Sequence, residues 1–170
     1  SVIYTANSQK INCDFSESER GYGCVVRGFD DYFIDESSGK HQPGKSNEDV
    51  LYFEATSKTL EFIPQGIHDQ FPNIKGLRFI FEKLAEITED DLRPFGEKLT
   101  FLSIFVSAIE VIPSNIFAST PNINYMFFAS SSLKSIENGA FERLQNLNGL
   151  FVRFPCESED AIKRDDVESL

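Results

Sequence analysis

The chain has 170 residues and a mass of 19.3 kDa, the size of one domain or one short repeat array. With 41% hydrophobic and 25% charged residues its composition is that of a globular protein, and no stretch is apolar over the roughly 18 residues that a membrane span needs. Because the net charge is -11, a phosphate backbone would be repelled, and we expect no nucleic-acid partner. The 17 phenylalanines exceed what a core of this size needs, so some rings are expected on a surface.

The first predicted element is an N-terminal cap over residues 1–49 that contains two cysteines. Ten residues separate Cys13 from Cys24, many of them polar or glycine, and no C-x-x-C pair or histidine lies near them. A disulfide is therefore favoured over a metal pair or two free thiols. A disulfide indicates a secreted, extracellular protein. No signal peptide is present, so a secreted chain would begin after the cleavage site.

Two further segments are predicted to be irregular. Residues 35–47 are polar and contain Gly39, Pro43 and Gly44, so they are expected to form a surface loop of the cap. Residues 156–170 form an acidic tail, for which a short helix and disorder are equally expected. For Cys156 a buried free thiol, an intermolecular bridge and a bridge to a cysteine outside this sequence all stay open.

Between cap and tail, residues 50–155 repeat one apolar pattern every 24 or 25 residues. The position that we number 0 is occupied in successive copies by Phe53, Leu77, Leu102, Met126 and Leu150. Position -3 is aliphatic and position +2 can be buried in each copy, and four copies have Leu or Ile at +7 and Ile at +10. The spacing is typical of a short strand followed by a turn over a buried ladder.

This spacing resembles that of leucine-rich repeats. The stretches N-C-D-F and G-Y-G-C-V-V are similar to the entrance of the short secreted leucine-rich-repeat proteins of insects. The resemblance implies an α/β repeat solenoid, a short right-handed coil of about five repeats with a parallel concave sheet and a disulfide-containing N-terminal cap. The consensus Asn at position +5 is absent, so we expect a less regular coil; the residues there are Lys58, Glu82, Ser107 and Ser131.

Between the predicted strands, helix-start and turn signals recur on what would be the convex side. Thr88 to Asp91 has the pattern of a capping box, and Pro113 and Gly139 follow the isoleucines at position +10. We therefore expect short helices or turns there.

Residue types for catalysis are sparse. Only His41 and His68 are present, neither in a metal-ligand spacing, and no phosphate-binding, dinucleotide-binding or serine-hydrolase motif occurs. The acids at 89–91 are attributed to a helix start rather than to acid–base catalysis, and those between Asp30 and Glu36 lack the order of a calcium loop. We expect no enzymatic activity, no cofactor and no metal.

Strand alternation predicts which residues point away from the core, namely those at positions -1, +1 and +3. The predicted partner-binding residues among them are Tyr52, Arg78, Ile80, Phe101, Phe105, Tyr125, Phe127, Phe151 and Arg153. Phe81, Val106 and Phe154 at +4 are expected beside them. In the alternative interpretation a slip of one residue puts these rings in the core, or the loop at 35–47 covers them.

Exposed aromatic residues beside arginine are typical of protein interfaces. The sequence therefore predicts a secreted recognition module that binds a protein partner, or a second copy of itself, through an aromatic concave face. The resemblance implies innate-immune or receptor-type recognition. The alternative is a carrier of a small apolar ligand or lipid in the groove. A covalent tether through Cys156 is a third hypothesis.

Overall fold

The computed structural model of the protein describes residues 10–155. The strands are β1 (Lys10–Asn12), β2 (Asp14–Ser18), β3 (Gly21–Val26), β4 (Glu36–Ser38), β5 (Tyr52–Ser57), β6 (Gly76–Phe81), β7 (Phe101–Val106), β8 (Val111–Ile112), β9 (Tyr125–Ser130), β10 (Ser135–Ile136) and β11 (Gly149–Arg153). The helices are α1 (Ile67–Gln70) and α2 (Glu89–Leu92), with 3-10 turns at Asn47–Asp49 and Gly96–Lys98.

Seven of these strands form one main sheet in the order β2, β3, β5, β6, β7, β9, β11. All neighbours in it are parallel except β2 and β3, which form an antiparallel hairpin. Each parallel strand belongs to one coil of a solenoid. The solenoid has about six coils rather than the five predicted repeats, because β3 of the cap pairs in parallel with β5.

The core lies under one face of this sheet and is built by the repeated positions. Positions -3, 0, +2, +7 and +10 are buried in the first four repeats except at Ile136, as the pattern predicts. In the last repeat Leu147, Leu150 and Val152 are only half-buried against the core. The register is that of the prediction, so the alternative slip by one residue is wrong.

The prediction for position +4 was wrong. Phe81 and Val106 are buried in the core, and Phe154 packs half-buried against it. The strands are six residues long in β5, β6, β7 and β9, so in-and-out alternation continues to +4 and returns the side chain to the core.

Two buried serines at +4 hydrogen-bond backbone groups of turns, Ser57 in the turn after its own strand and Ser130 in the turn of the preceding coil. The Ser57 hydroxyl accepts hydrogen bonds from the backbone N–H groups of Thr59 and Leu60, and the Ser130 hydroxyl donates to the Ile109 carbonyl at 2.6 Å. Burying a polar backbone group without such a partner would cost about 1–3 kcal/mol. Serine at +4 therefore serves turns in which the asparagine at +5 is missing.

The return segments contain little helix, so the described chain is mostly β. The capping box predicted at Thr88 is present, because the Asp91 carboxylate accepts hydrogen bonds from both the Thr88 N–H and its hydroxyl. The return segments also contain α1, the 3-10 turn at Gly96–Lys98, irregular turns and the short parallel pair β8–β10. Neither helix within residues 10–155 is long and apolar enough to cross a membrane.

The disulfide between Cys13 and Cys24 is present, with an S–S distance of 2.01 Å. The polar segment 35–47 differs from the predicted loop because it contains β4, which pairs in parallel with β1. Cys156 and the predicted tail at 156–170 lie outside the described residues.

Candidate binding face

We call the side of the main sheet opposite the core the open face. Strand pairing arranges its side chains in three rows across the sheet. The first row is Gly23, Tyr52, Gly76, Phe101, Tyr125 and Gly149; the second is Val25, Glu54, Arg78, Ser103, Phe127 and Phe151; the third is Thr56, Ile80, Phe105, Ala129 and Arg153. All nine predicted binding residues lie in these rows.

Glycines in the first row provide seats for the neighbouring rings. A β-carbon on Gly76 would lie 3.0 Å from the Tyr52 ring, and one on Gly149 would lie 2.7 Å from the Tyr125 ring. The rings can therefore lie across the adjacent backbone. We had not predicted these seats, although the signal was in the sequence as glycine at position -1 in repeats that flank an aromatic at -1.

Tyr52 belongs to a polar cluster on the first half of the open face. Its hydroxyl donates to Glu54 Oε2 at 3.1 Å, and Arg78 Nη1 lies 3.8 Å from the same oxygen. Burial, with the negative charge of Glu54 beside it, raises the pKa of Tyr52 to about 12. Only 7% of Tyr52 is exposed, so this predicted binding residue is occupied by contacts within the chain.

A residue that sequence reasoning missed covers the middle of the face. Arg20, in the turn between β2 and β3, places its guanidinium carbon 3.4 Å from the centre of the Phe101 ring. Such cation–π contacts contribute about 0.5–1 kcal/mol at exposed sites. The contact joins residues three strands apart, and no local sequence pattern reports it.

The second half of the open face carries three stacked phenylalanines, which we call the ring ladder: Phe105, Phe127 and Phe151. The Phe105 and Phe127 ring centres are 4.6 Å apart at an interplanar angle of 23°, and those of Phe127 and Phe151 are 4.3 Å apart at 14°. Arg78 approaches the Phe105 end of the ladder.

The ring ladder ends at an exposed edge. Phe151 is 49% exposed and Tyr125, beside it in the first row, is 53% exposed. Arg153 is also exposed there. These residues form an apolar surface with one cation and no acidic side chain in the rows of β9 and β11.

The loop at 35–47 does not take the place over the rings that the alternative prediction gave it. His41 stacks on Phe15 at 3.8 Å between ring centres, and its Nδ1 lies 3.0 Å from the Tyr22 hydroxyl. This part of the loop therefore packs on the cap. Within residues 10–155, the aromatic rings that stack on the ring ladder are its own members, and no ring from the loop at 35–47 is among them.

The remaining polar candidates have structural contacts. His68 packs edge-on against Phe95, Asp30 accepts a hydrogen bond from Thr59, and Glu36 pairs with Lys10. Within the described range, no three His, Cys, Asp or Glu side chains come together as metal ligands. The expectations of no metal, no cofactor and no enzymatic activity stay predictions.

Comparison with known proteins gives this chain no family. No family model matches it, and a search of curated proteins finds no significant match. The observations that bear on function are therefore the repeat spacing, the solenoid and the chemistry of the open face.

Proposed function

We propose that the protein is a secreted, non-enzymatic recognition module of the leucine-rich-repeat type, which binds a protein partner through the ring ladder and its exposed flank. The observation that carries the proposal is the uncovered aromatic stack on the second half of a face whose first half is occupied by contacts within the chain. The disulfide supports an extracellular location. Innate-immune or receptor-type recognition is the role that the family resemblance implies.

The composition of the ladder is that of an interface centre. Aromatic residues and arginine contribute most of the binding energy in protein interfaces, and Arg153 and Tyr125 flank the three phenylalanines. The rings are also held before binding, because the phenylalanines stack on one another and Tyr125 lies on Gly149. A partner would therefore lose little side-chain entropy on binding them.

The same geometry favours a protein over a small apolar ligand. Ring centres 4.3 and 4.6 Å apart leave no slot between the rings for an acyl chain. A ligand lying on top of them would stay open to water on its other side, whereas small-molecule sites bury most of the ligand. A protein surface can cover the whole stack.

Selection from a random peptide display library against the full chain tests the proposal. Affinities of the selected peptides are then measured for wild type, Phe127→Ala and Phe151→Ala. We expect both substitutions to weaken most independent peptides by about 5- to 30-fold, the usual effect of removing an interface hot spot.

The controls are Val111→Ala and Phe62→Ala, which remove exposed apolar side chains away from the ring ladder. Peptides whose affinity depends on these residues but not on Phe127 or Phe151 would contradict the proposal. The apolar-ligand alternative would instead be supported if wild type bound a fluorescent fatty acid, Phe127→Ala did not, and no selected peptide depended on the ring ladder.

A further inference from the structure

β11 is the last strand of the main sheet, and within residues 10–155 no strand pairs with its outer edge. Successive residues of a strand direct their backbone groups alternately to its two sides. The Gly149 N–H donates to the Asn124 carbonyl on the side of β9. The N–H and C=O groups of Leu150 and Val152 therefore point away from β9, toward the open edge.

We infer that this edge is a self-association site, at which β11 of one copy pairs antiparallel with β11 of a second copy about a two-fold axis at Phe151. The inference does not rest on the proposed function, because it is argued from the backbone groups of the edge and the register that they impose.

The backbone fits this arrangement. With Phe151 opposite its own symmetry mate, Leu150 lies opposite Val152 of the second copy, and Val152 opposite Leu150. These are the residues whose N–H and C=O groups point outward, so the two pairs exchange four hydrogen bonds. Phe151 becomes a non-hydrogen-bonded pair, in which opposite side chains lie closest.

The side chains on the open face fit as well. The two Phe151 rings would extend two three-ring ladders into one continuous stack of six. Arg153 would lie opposite Gly149 of the second copy, which is the seat of the exposed Tyr125 ring. A guanidinium over that ring would form a cation–π contact, and the two-fold axis would form it twice.

The core side gains apolar contact. Leu147, Leu150 and Val152 are half-buried at the end of the core, and the pairing would place them against the same residues of the second copy. Within residues 125–155, which include β9 and β11, the charges are nearly balanced. Residues 125–155 carry three basic and two acidic side chains, which are Lys134, Arg143, Arg153, Glu137 and Glu142.

These features favour a second copy over a foreign strand. Any extended peptide could satisfy the edge backbone, but the sequence of β11 itself supplies a ring opposite its ring and a cation opposite its glycine seat. The other end of the sheet is unsuited to such pairing, because four of the five residues of β2 are exposed and polar. An isologous contact through β11 closes at two copies.

The first experiment measures molar mass by light scattering over a range of concentrations, in a Cys156→Ser background and without reductant, so that the Cys13–Cys24 disulfide is kept and a Cys156 bridge is excluded. We expect the full chain to reach twice its 19.3 kDa mass. Val152→Pro removes an N–H that points outward, so the strand's bonds to β9 are kept and the mass should fall to that of one chain. Val152→Ala is the matched control, since it keeps the N–H and should remain a dimer.

The second experiment tests the register. Phe151→Cys in a Cys156→Ser background should oxidise to a covalent dimer on a non-reducing gel, because residue 151 faces its symmetry mate. Phe127→Cys is the matched control, since two further strand spacings separate it from its mate. Arg153→Glu should weaken the dimer about 5- to 30-fold through loss of both cation–π contacts.

A monomer at every soluble concentration for the chain that carries only Cys156→Ser overturns the inference. So does a dimer that persists in folded Val152→Pro, or cross-linking of Phe151→Cys no faster than that of Phe127→Cys. Should Val152→Pro fail to fold, the cross-linking comparison decides alone. Failure here is distinct from failure of the proposed function, which is measured by peptide affinity at Phe127.

Discussion

The two ends of the solenoid differ in how their terminal coils are covered. At the N-terminal end the sheet finishes in the hairpin β2–β3, whose edge strand is mostly polar, the disulfide joins Cys13 to β3, and Arg20 from the hairpin turn covers Phe101. At the C-terminal end β11 is an edge strand, the apolar residues beneath it are half-buried, and the ring ladder ends at the exposed Phe151. A solenoid must cover its terminal coils, and among residues 10–155 only one end has a cover.

The difference extends across the open face. On β5 and β6 the tyrosine, glutamate and arginine of the face bind one another, so little of their chemistry is left for a partner. On β9 and β11 the phenylalanine rings stack on one another and have no ion pair or hydrogen bond to satisfy. Which outward side chains are available to a partner therefore depends on which of them already have contacts within the chain.

The largest expected effect compares the same repeat position in the two regions. Leu102 is fully buried, so Leu102→Ala should lower the free energy of unfolding by about 2–5 kcal/mol. Leu150 occupies position 0 of the last repeat but is half-buried, so Leu150→Ala should cost about 1–2 kcal/mol. Denaturant unfolding of both variants, at a concentration where the chain is monomeric, measures the difference. Equal losses would mean that the last repeat is as well covered as the third.

Opening the disulfide should affect mainly the N-terminal end. Replacing Cys13 and Cys24 by Ala releases a closed loop of about ten residues and should cost about 2–3 kcal/mol. Hydrogen exchange should accelerate in β2 and β3 more than in β9 and β11. Wild type measured with reductant should match the double variant. Uniform acceleration over the whole sheet would show that the two ends unfold as one unit.

The part of this comparison that could be predicted from sequence is the part that depends on periodicity. Positions such as Leu77 and Leu102 are fixed by strand alternation and by the 24- or 25-residue period, both of which are local patterns. Position +4 was misplaced because the strands run farther than we expected. β4 was missed because it depends on a partner, β1, that is 26 residues earlier.

For the candidate binding face, the sequence predicted which side chains point outward but not which of them have partners within the chain. The contacts of Arg20 with Phe101 and of Tyr52 with Glu54 and Arg78 decide which outward side chains are free. These contacts depend on side-chain conformation and on how the hairpin turn lies over the sheet. A single repeat does not encode either of them.

The polar cluster should give the first half of the face a pH dependence at high pH. The pKa of Tyr52 is near 10 in the unfolded chain and about 12 in the folded protein, so the folded state holds this proton more tightly. Its contribution is fully present below about pH 10 and is lost as the pH rises toward 12, by about 1 kcal/mol once solvent screening is included.

Tyr52→Phe should remove this contribution, and unfolding free energies at several pH values between about 9 and 12 would measure it. The matched control is Tyr125→Phe, which deletes a hydroxyl from the same row on the other half of the face. If the two variants have the same pH slope, the cluster around Glu54 does not hold the Tyr52 proton.

The smallest expected effect on stability comes from uncovering the Phe101 ring. Arg20→Ala removes the guanidinium from Phe101 and should lower the free energy of unfolding by only about 0.5–1 kcal/mol. The matched control is Arg27→Ala, because Arg27 is a mostly exposed arginine whose described ion pair is with Asp14 in β2. If Arg20 acts as a cover, its loss should let ladder-directed peptides depend on Phe101 as well as on Phe127, with the new dependence read from Phe101→Ala in each background. An unchanged affinity pattern would mean that the two halves of the face differ for a reason other than the hairpin turn, and the polar cluster at Tyr52 would then be the feature that limits binding to β9 and β11.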